Sequence, residues 1–350
     1  MNRSRSLGLA LAFATFLPVV ASAQQLDSVV GSRGTPTFGS VAEMSREQVT
    51  IETRQGKKQF AVNEIQKLSY GDEPAELRRA RESILRGQLE SARADLDRVV
   101  VSEVRRPEAV QDIEFYKGYC DGRLALAGGG DKAAAVRQLR TFLEKPANKD
   151  SYHYYAVVEL LGDLAIGLSS YENAVKYYDM LAAAPWPDFQ MKAAVLSARA
   201  MIANGQFAEA AKKYESVLAM GIDDARARDL KQFATIGKAV CLAETGKADE
   251  GAALVNAIIL ENDSQTKPEL FGRAYNALGT CHLKADRPKD ALLAFLHVDL
   301  LFYQDPDVHA EALYYLKDLW KDAANDSDRA VRTRGLLNSR YSGSPWANRK

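Results

Sequence analysis

The sequence predicts a mostly α protein, in which an α-α solenoid of helix pairs follows a small β-barrel-like module. Before residue 72, short runs in which apolar and polar residues alternate are separated by turn residues, and no such alternation is found after it. Beyond that point, a small residue recurs every 36 to 43 residues, a spacing typical of repeats built from two helices. The recurring small residues are Ala92, Ala135, Ala174, Ala210, Gly251, Ala291 and Ala330.

Residues 1–23 have the organisation of a secretory signal peptide. Arg3 and Arg5 precede an apolar run of about 14 residues, and residues 21–23 (Ala-Ser-Ala) have the small-x-small pattern that a signal peptidase cleaves. The apolar run is too short to cross a bilayer comfortably. We therefore expect an exported protein, periplasmic or secreted, whose mature chain begins at Gln24 and has no transmembrane span.

Residues 24–72 are predicted to form the β module. Two alternating runs, residues 49–53 and 59–62, lie on either side of a turn at residues 54–57 and indicate a hairpin. The predicted apolar face of this hairpin consists of Val49, Ile51, Phe60 and Val62. With the neighbouring runs, about five short strands are expected, in a pattern that resembles a small SH3-like or Sm-like barrel. Such a small module is marginally stable alone, so we expect it to pack against the first helix pair.

Residues 73–350 are predicted to form the solenoid. Asp72, followed by Pro74, predicts the start of the first helix, with the acid as its capping residue. The clearest repeat reads Y-x-x-L-G at residues 275–279, followed by A-x-x-x-F at residues 291–295. This pattern resembles the tetratricopeptide repeat (TPR) family. The resemblance implies about seven helix pairs, each with a small residue where its two helices cross.

Composition and motifs exclude several classes of function. Lys+Arg and Asp+Glu number 46 each, so the chain lacks the overall positive charge of a dedicated nucleic-acid binder. Three cysteines and four histidines are scattered without the spacing of metal ligands. The glycine run at residues 128–130 lacks the ending of a phosphate loop and is interpreted as a turn. Because no nucleophile motif is present either, we predict a protein that is not an enzyme and uses no cofactor.

The cysteines are predicted to be buried thiols, because they lie in apolar helical stretches. Cys241 and Cys281 occupy the same position of neighbouring repeats. They are therefore expected to be too far apart for a disulfide bond.

The resemblance also implies where a partner binds. In the TPR family, the first helix of each pair presents its second, fifth and ninth positions to the concave surface. Projected onto this chain, Phe233 and Ile236 form an apolar anchor, with Lys192, Arg199 and Arg273 as orienting charges. The alternative is that the long repeats rotate these helices and bury the apolar pair. The projected residues are Glu159, Asp163, Lys192, Arg199, Phe233, Ile236, Arg273, Asn276 and Thr280.

These observations favour a non-enzymatic, exported scaffold that binds a protein or peptide segment in its concave groove. The C-terminal stretch at residues 341–346 is similar to endings that close helix pairs in bacterial envelope repeat proteins, which favours a role in cell-envelope assembly or organisation. The alternatives are an enzyme accessory or peptidoglycan-associated factor, and a purely structural envelope protein. A second copy of this chain is a further candidate partner.

Overall fold

The computed structural model describes residues 26–32 and 34–349. The predicted signal peptide and the predicted start of the mature chain lie outside the described residues, so export stands as a prediction. Within the described part of the chain, no helix combines the length and the apolar character needed to cross a membrane.

An antiparallel five-stranded sheet begins the described chain. Its strands are β1 (Asp27–Gly31), β2 (Pro36–Met44), β3 (Gln48–Thr53), β4 (Gly56–Ala61) and β5 (Ile65–Ser69). They are ordered β4-β3-β2-β1-β5, so β4 and β5 form the two edges of the sheet. A short 3-10 turn at Val62–Glu64 connects these two edge strands along the chain. The predicted small β module is therefore present as five strands.

The predicted hairpin is confirmed as β3 and β4, which pair antiparallel. Val49, Ile51 and Phe60 are buried on one face of the sheet, and Val62 packs against the same core from the 3-10 turn. Gly56 ends the hairpin turn with φ of 115°, a conformation that L side chains rarely adopt. The glycine therefore permits the tight connection.

Fourteen α-helices follow in the described residues, which gives the seven predicted pairs. They are α1 (Ala75–Leu85), α2 (Leu89–Asp97), α3 (Pro107–Leu126), α4 (Lys132–Glu144), α5 (Tyr154–Gly167), α6 (Tyr171–Ala182), α7 (Pro187–Ala203), α8 (Phe207–Ala219), α9 (Ala225–Glu244), α10 (Ala248–Glu261), α11 (Pro268–Lys284), α12 (Pro288–Leu301), α13 (Pro306–Asp322) and α14 (Ser327–Arg340).

The start of α1 corrects one prediction. The N-cap position is Pro74, and no side chain caps the helix, so the capping role predicted for Asp72 is wrong. The neighbouring carboxylate of Glu73 instead accepts a hydrogen bond from the backbone N–H of Tyr70 at 2.9 Å. This bond stabilises the turn between the sheet and the helix rather than the helix terminus.

The odd-numbered helices form an inner layer and the even-numbered helices an outer layer. Contacts between helices that are not consecutive join α1 to α3, α3 to α5, α7 to α9, α9 to α11 and α11 to α13. Each even-numbered helix packs mainly against its neighbours in sequence. Elements that curve around a common axis come closest on the inside of the curve, so the odd-numbered helices line the concave side.

The recurring small residues all lie on even-numbered helices, from α2 to α14, and all are buried. They lie where the two helices of a pair approach closely. The approach is equally close on the odd-numbered helix, because a Cβ added to Gly279 of α11 would lie 2.6 Å from the ring of Phe295 on α12. The repeat phase predicted from the sequence is therefore confirmed.

The β module and the first helices share one hydrophobic core, as predicted. Leu68 of β5 belongs to the same cluster as Leu77 of α1 and Ile113 of α3. Arg106, just before α3, adds two hydrogen bonds to the Asp27 carboxylate of β1, at 2.8 and 2.9 Å. The sheet is thus fixed to the solenoid by apolar burial and by a charged, bidentate contact.

The solenoid curves until the end of the chain contacts its second helix pair. Nζ of Lys132, the first residue of α4, donates to the backbone carbonyl of Gly343 at 2.6 Å. A Cβ added to Gly343 would lie 3.4 Å from Cα of Gly128, in the glycine turn between α3 and α4. The tail that follows α14 therefore lies beside the turn between α3 and α4, although Lys132 and Gly343 are 211 residues apart in sequence.

The three cysteines are buried and free, as predicted. Burial raises the pKa of each thiol to about 12. Because the thiolate is the reactive form, these cysteines are packing residues rather than nucleophiles.

Candidate functional site on the inner surface

The nine predicted site residues lie on α5, α7, α9 and α11, all helices of the inner layer. The structure divides them by exposure. Those of α5 and α7 are polar groups at the concave surface, whereas most of those on α9 and α11 are buried between helices. The projection therefore identified the correct helices but not always the correct face.

Glu159 and Lys192 form an ion pair that joins α5 to α7, with Nζ 2.6 Å from Oε1. Glu159 also lines a cavity of about 270 Å³ between β5 and the inner helices. The rings of Phe115, Tyr155 and Phe189 line the same cavity. The inner surface thus continues into an aromatic cavity against the edge of the sheet.

Asp163 is held at the inner surface by contacts from two helices. The hydroxyl of Tyr178 on α6 donates to Oδ1 at 2.9 Å, and the guanidinium of Arg123 on α3 lies 3.5 Å from Oδ2. Gly162 makes room for this tyrosine, since an added Cβ would lie 2.3 Å from its ring. Burial raises the pKa of Asp163, and the charge of Glu159 adds to this effect.

Arg199 of α7 is exposed, and no carboxylate of a described residue lies within 4.0 Å of its guanidinium. Water reaches the side chain, although many atoms of neighbouring helices lie around it and desolvate it in part. Desolvation disfavours its charge, yet Tyr178, Asp307 and Tyr214 outweigh that effect and raise the pKa of Arg199. Asp307 belongs to α13, so α7 and α13 face each other across the concave side.

The predicted apolar anchor is wrong. Ile236 is only 5% exposed and belongs to the core formed by α9, α10 and α11. Phe233 is half-buried against the cores on both sides of α9. As the alternative interpretation expected, positions that face the groove in the consensus repeat here pack against the neighbouring helices. An exposed apolar pair is therefore absent from this part of the groove.

On α11, the three predicted residues are engaged within the chain. Thr280 is buried, and its hydroxyl donates to the backbone carbonyl of Asn276 at 3.1 Å. Arg273 pairs with Asp305 at 2.9 Å and with Glu269 at 3.1 Å. Neither side chain is an open binding group, which corrects their predicted roles, because packing and ion pairing satisfy them within the fold.

The sequence projection missed two acids, Asp307 and Glu311, which lie one turn apart on α13. Nδ2 of Asn276 donates to Oε2 of Glu311 at 3.0 Å. Burial raises the pKa of Glu311 to about 7, although the nearby charge of Arg273 opposes this shift. The signal in the sequence was the i, i+4 spacing of the two acids, which places them on one face of a helix.

The inner surface offers charges rather than ligands for a metal. In the described part of the chain, no group of three His, Cys, Asp or Glu side chains is placed to hold a metal ion. Three carboxylates with raised pKa, Asp163, Asp307 and Glu311, each interact electrostatically with the exposed Arg199. Such an arrangement can bind a polar or charged chain segment by hydrogen bonds and ion pairs.

Comparison with known proteins identifies the fold class. No family model and no curated protein matches the chain. A tetratricopeptide repeat protein from Parabacteroides merdae superposes with a TM-score of 0.54 at 16% identity, over 76% of this chain and 92% of the other. The apo form of the quorum sensor NprR from B. thuringiensis superposes with a TM-score of 0.50 at 12% identity, over 76% and 86%. The fold is thus a TPR-like helical solenoid, preceded by a small antiparallel sheet.

Proposed function

We propose that the protein is a non-enzymatic, exported scaffold that holds a segment of a partner protein on its inner surface. One observation carries the binding role. Arg199 of α7 and Asp307 of α13 are both exposed, face each other across the concave side, and have no ion-pair partner within 4.0 Å among the described residues. A polypeptide segment offers both signs of charge and backbone donors and acceptors, and so satisfies such a surface.

The fold supports a recognition role. Extended concave surfaces are what stacked helix pairs provide for binding. One similar structure is described as a quorum sensor, which agrees with recognition by this architecture.

The β module is proposed as an SH3-like or Sm-like barrel that provides a second contact. The cavity of about 270 Å³ beside β5 supports this, because it continues to Glu159 on the inner surface. A bound segment can therefore extend from the groove to the edge of the sheet.

We further propose that the protein acts outside the cytoplasm, in cell-envelope assembly or organisation. Residues 1–23 support this through their basic, apolar and small-residue regions in signal-peptide order. Mass spectrometry of the mature protein is expected to find Gln24 at its N terminus. A chain that begins at Met1 in a cytosolic fraction would contradict export.

An enzyme is the second candidate, because a carboxyl with a pKa of about 7, as in Glu311, suits general acid–base catalysis. The groups around this carboxyl are Arg273, Arg199, Asn276 and Asp307. We favour the scaffold because the first three bind and orient, and because the sequence contains no motif that would use the fourth as a nucleophile. The remaining alternatives are an accessory or peptidoglycan-associated factor and a purely structural envelope protein.

Site-specific photo-crosslinking tests the binding surface. The photoreactive residue replaces Arg199 on the inner surface or, as a matched control, Glu209, which is exposed on the outer helix α8. Irradiation of intact cells is expected to give a discrete protein adduct from position 199 and none from position 209. Adducts from the outer position only, or from neither, would exclude a partner on the inner surface.

A further inference from the structure

The inner face of α13 is an acidic surface next to an aromatic ring. Asp307 and Glu311 lie one turn apart, and Tyr315 follows one turn later on the same face. The ring of Tyr315 stacks on Phe295 with centroids 4.7 Å apart, which holds it in place. Two carboxylates beside a fixed aromatic ring form a surface that attracts cations.

A buried carbonyl next to these acids lacks a hydrogen-bond donor. Asn276 is 2% exposed, and its Nδ2 donates to Glu311 and to the backbone carbonyl of Val308, at 3.0 and 2.8 Å. Its Oδ1 has no donor among the described residues. A buried acceptor without a hydrogen bond lowers the stability of the fold, so a hydrogen-bond donor at Oδ1 would be favourable. Oδ1 lies close to the Glu311 carboxylate, because Nδ2 of the same amide group donates to that carboxylate.

Asp307 and Glu311 also form no ion pair within 4.0 Å with a described residue. Arg273 on α11 is engaged by Asp305 and Glu269. Arg199 lies on the opposite wall and forms no ion pair with a described residue. Packing against neighbouring atoms raises the pKa of Asp307 and of Glu311, and the charges of Arg199 and Arg273 offset this shift only in part.

We propose that Asp307, Glu311 and the side-chain carbonyl of Asn276 bind a lysine or arginine side chain of the partner segment. This inference rests on the proposed function and specifies its ligand. Oδ1 has almost no exposed surface, so binding includes a small displacement of the Asn276 side chain. An ammonium or guanidinium group then carries enough N–H donors to contact Oδ1 and a carboxylate at once, and its charge pairs with acids that form no ion pair with a described residue. Arg199, across the groove, donates to backbone carbonyls of the same segment.

Three labelled peptides of equal length test the inference: one with lysines in a Gly/Ser background, one with glutamates and one with neither. Fluorescence anisotropy with the mature full chain is expected to show the tightest binding for the lysine peptide. Glu311→Gln is expected to weaken this binding by about tenfold or more. Asp307→Asn, on an exposed side chain, is expected to act in the same direction, whereas Glu209→Gln leaves binding unchanged.

The affinity for the lysine peptide is also expected to rise as the pH rises through about 7, where Glu311 loses its proton. Glu311→Gln removes this dependence. The charged and polar groups that face Glu311 are Arg273, Arg199, Asn276, Asp307 and Tyr315. Of these, only Asp307 has its pKa shifted toward neutral pH, and Glu311→Gln separates its contribution from that of Glu311. A thermal melt of each variant shows whether it is folded.

Other outcomes overturn the inference in distinguishable ways. Tighter binding of the glutamate peptide, lost in Arg199→Gln, would refute the cation site while keeping a partner on the inner surface. Equal competition by free 1,5-diaminopentane would mean that the site recognises an amine and not a chain segment. Failure of every peptide would refute the cation site, and the crosslinking at position 199 then decides separately whether the scaffold function stands.

Discussion

Replacing Asp112 with alanine is expected to lower the free energy of unfolding by about 3–5 kcal/mol. Asp112 of α3 is fully buried, 2.5 Å from Nη2 of Arg81 and 2.8 Å from Nε2 of His153. Arg81 is 2% exposed, and the second carboxylate that it contacts is that of Glu73, at 2.5 Å. The loss is large because the variant leaves a buried guanidinium without one of its two carboxylates.

The matched control is Asp97→Ala. Asp97 pairs with Arg93 and Lys117 at the surface, where such pairs contribute about 0–1 kcal/mol. Urea denaturation of both variants measures the difference. A similar small loss from both would contradict a buried charge network at Asp112.

The same network predicts that acid weakens the fold. Burial lowers the pKa of His153 below its ordinary 6.5, although Asp112 opposes the shift. Burial opposes ionisation of Asp112, yet Arg81 lowers the pKa of this carboxyl below its ordinary 3.8. In both cases the unfolded chain binds more protons than the native one over the affected range. The contribution of His153 to stability therefore falls as the pH drops below 6.5, and that of Asp112 as it drops below 3.8.

Replacing Gly279 with alanine is expected to destabilise the protein by about 1–3 kcal/mol, although alanine normally favours a helix over glycine by about 0.5–1 kcal/mol. The added Cβ would lie 2.6 Å from the ring of Phe295. That ring is fully buried and stacks on Tyr315, so it has no free space to move into. Either the ring or the whole α11–α12 crossing must shift.

Gly335→Ala provides the control for helix propensity. Gly335 lies on α14, is exposed, and has no atom within 4 Å of the position of an added Cβ. Here the substitution is expected to stabilise the protein by about 0.5–1 kcal/mol. Thermal or urea unfolding should therefore give opposite signs for the two variants. Stabilisation by both would mean that α11 and α12 do not cross closely at Gly279.

The repeat and the hairpin could be predicted because their signals are local. A close helix crossing requires a small side chain at the point of contact, so Ala174 or Ala291 reports a crossing wherever it recurs in phase. In the hairpin, Val49 and Ile51 lie two residues apart and therefore share a face of the strand. These constraints act between residues that are close in sequence, so they produce a regular spacing of small or apolar residues that can be seen in the sequence.

The exposure of individual groove residues was less predictable. Whether Phe233 or Ile236 meets water depends on how far α9 rotates about its own axis, which its neighbours on both sides decide through packing. Glu311 shows the same dependence, because its burial and its contact with Asn276 arise only when α11 and α13 lie side by side. No pattern within one helix contains this information.

By itself, therefore, the sequence determined the class of fold, the number of helix pairs, the small residues at their crossings and the five-stranded module before them. Tertiary structure decided the rest: that Lys132 meets Gly343, that Arg199 of α7 faces Asp307 of α13, and that Arg273 is already paired. The physical reason is the range of the interactions. Periodicity follows from contacts within a pair, whereas the curvature that brings distant helices together accumulates from small rotations at every interface between pairs.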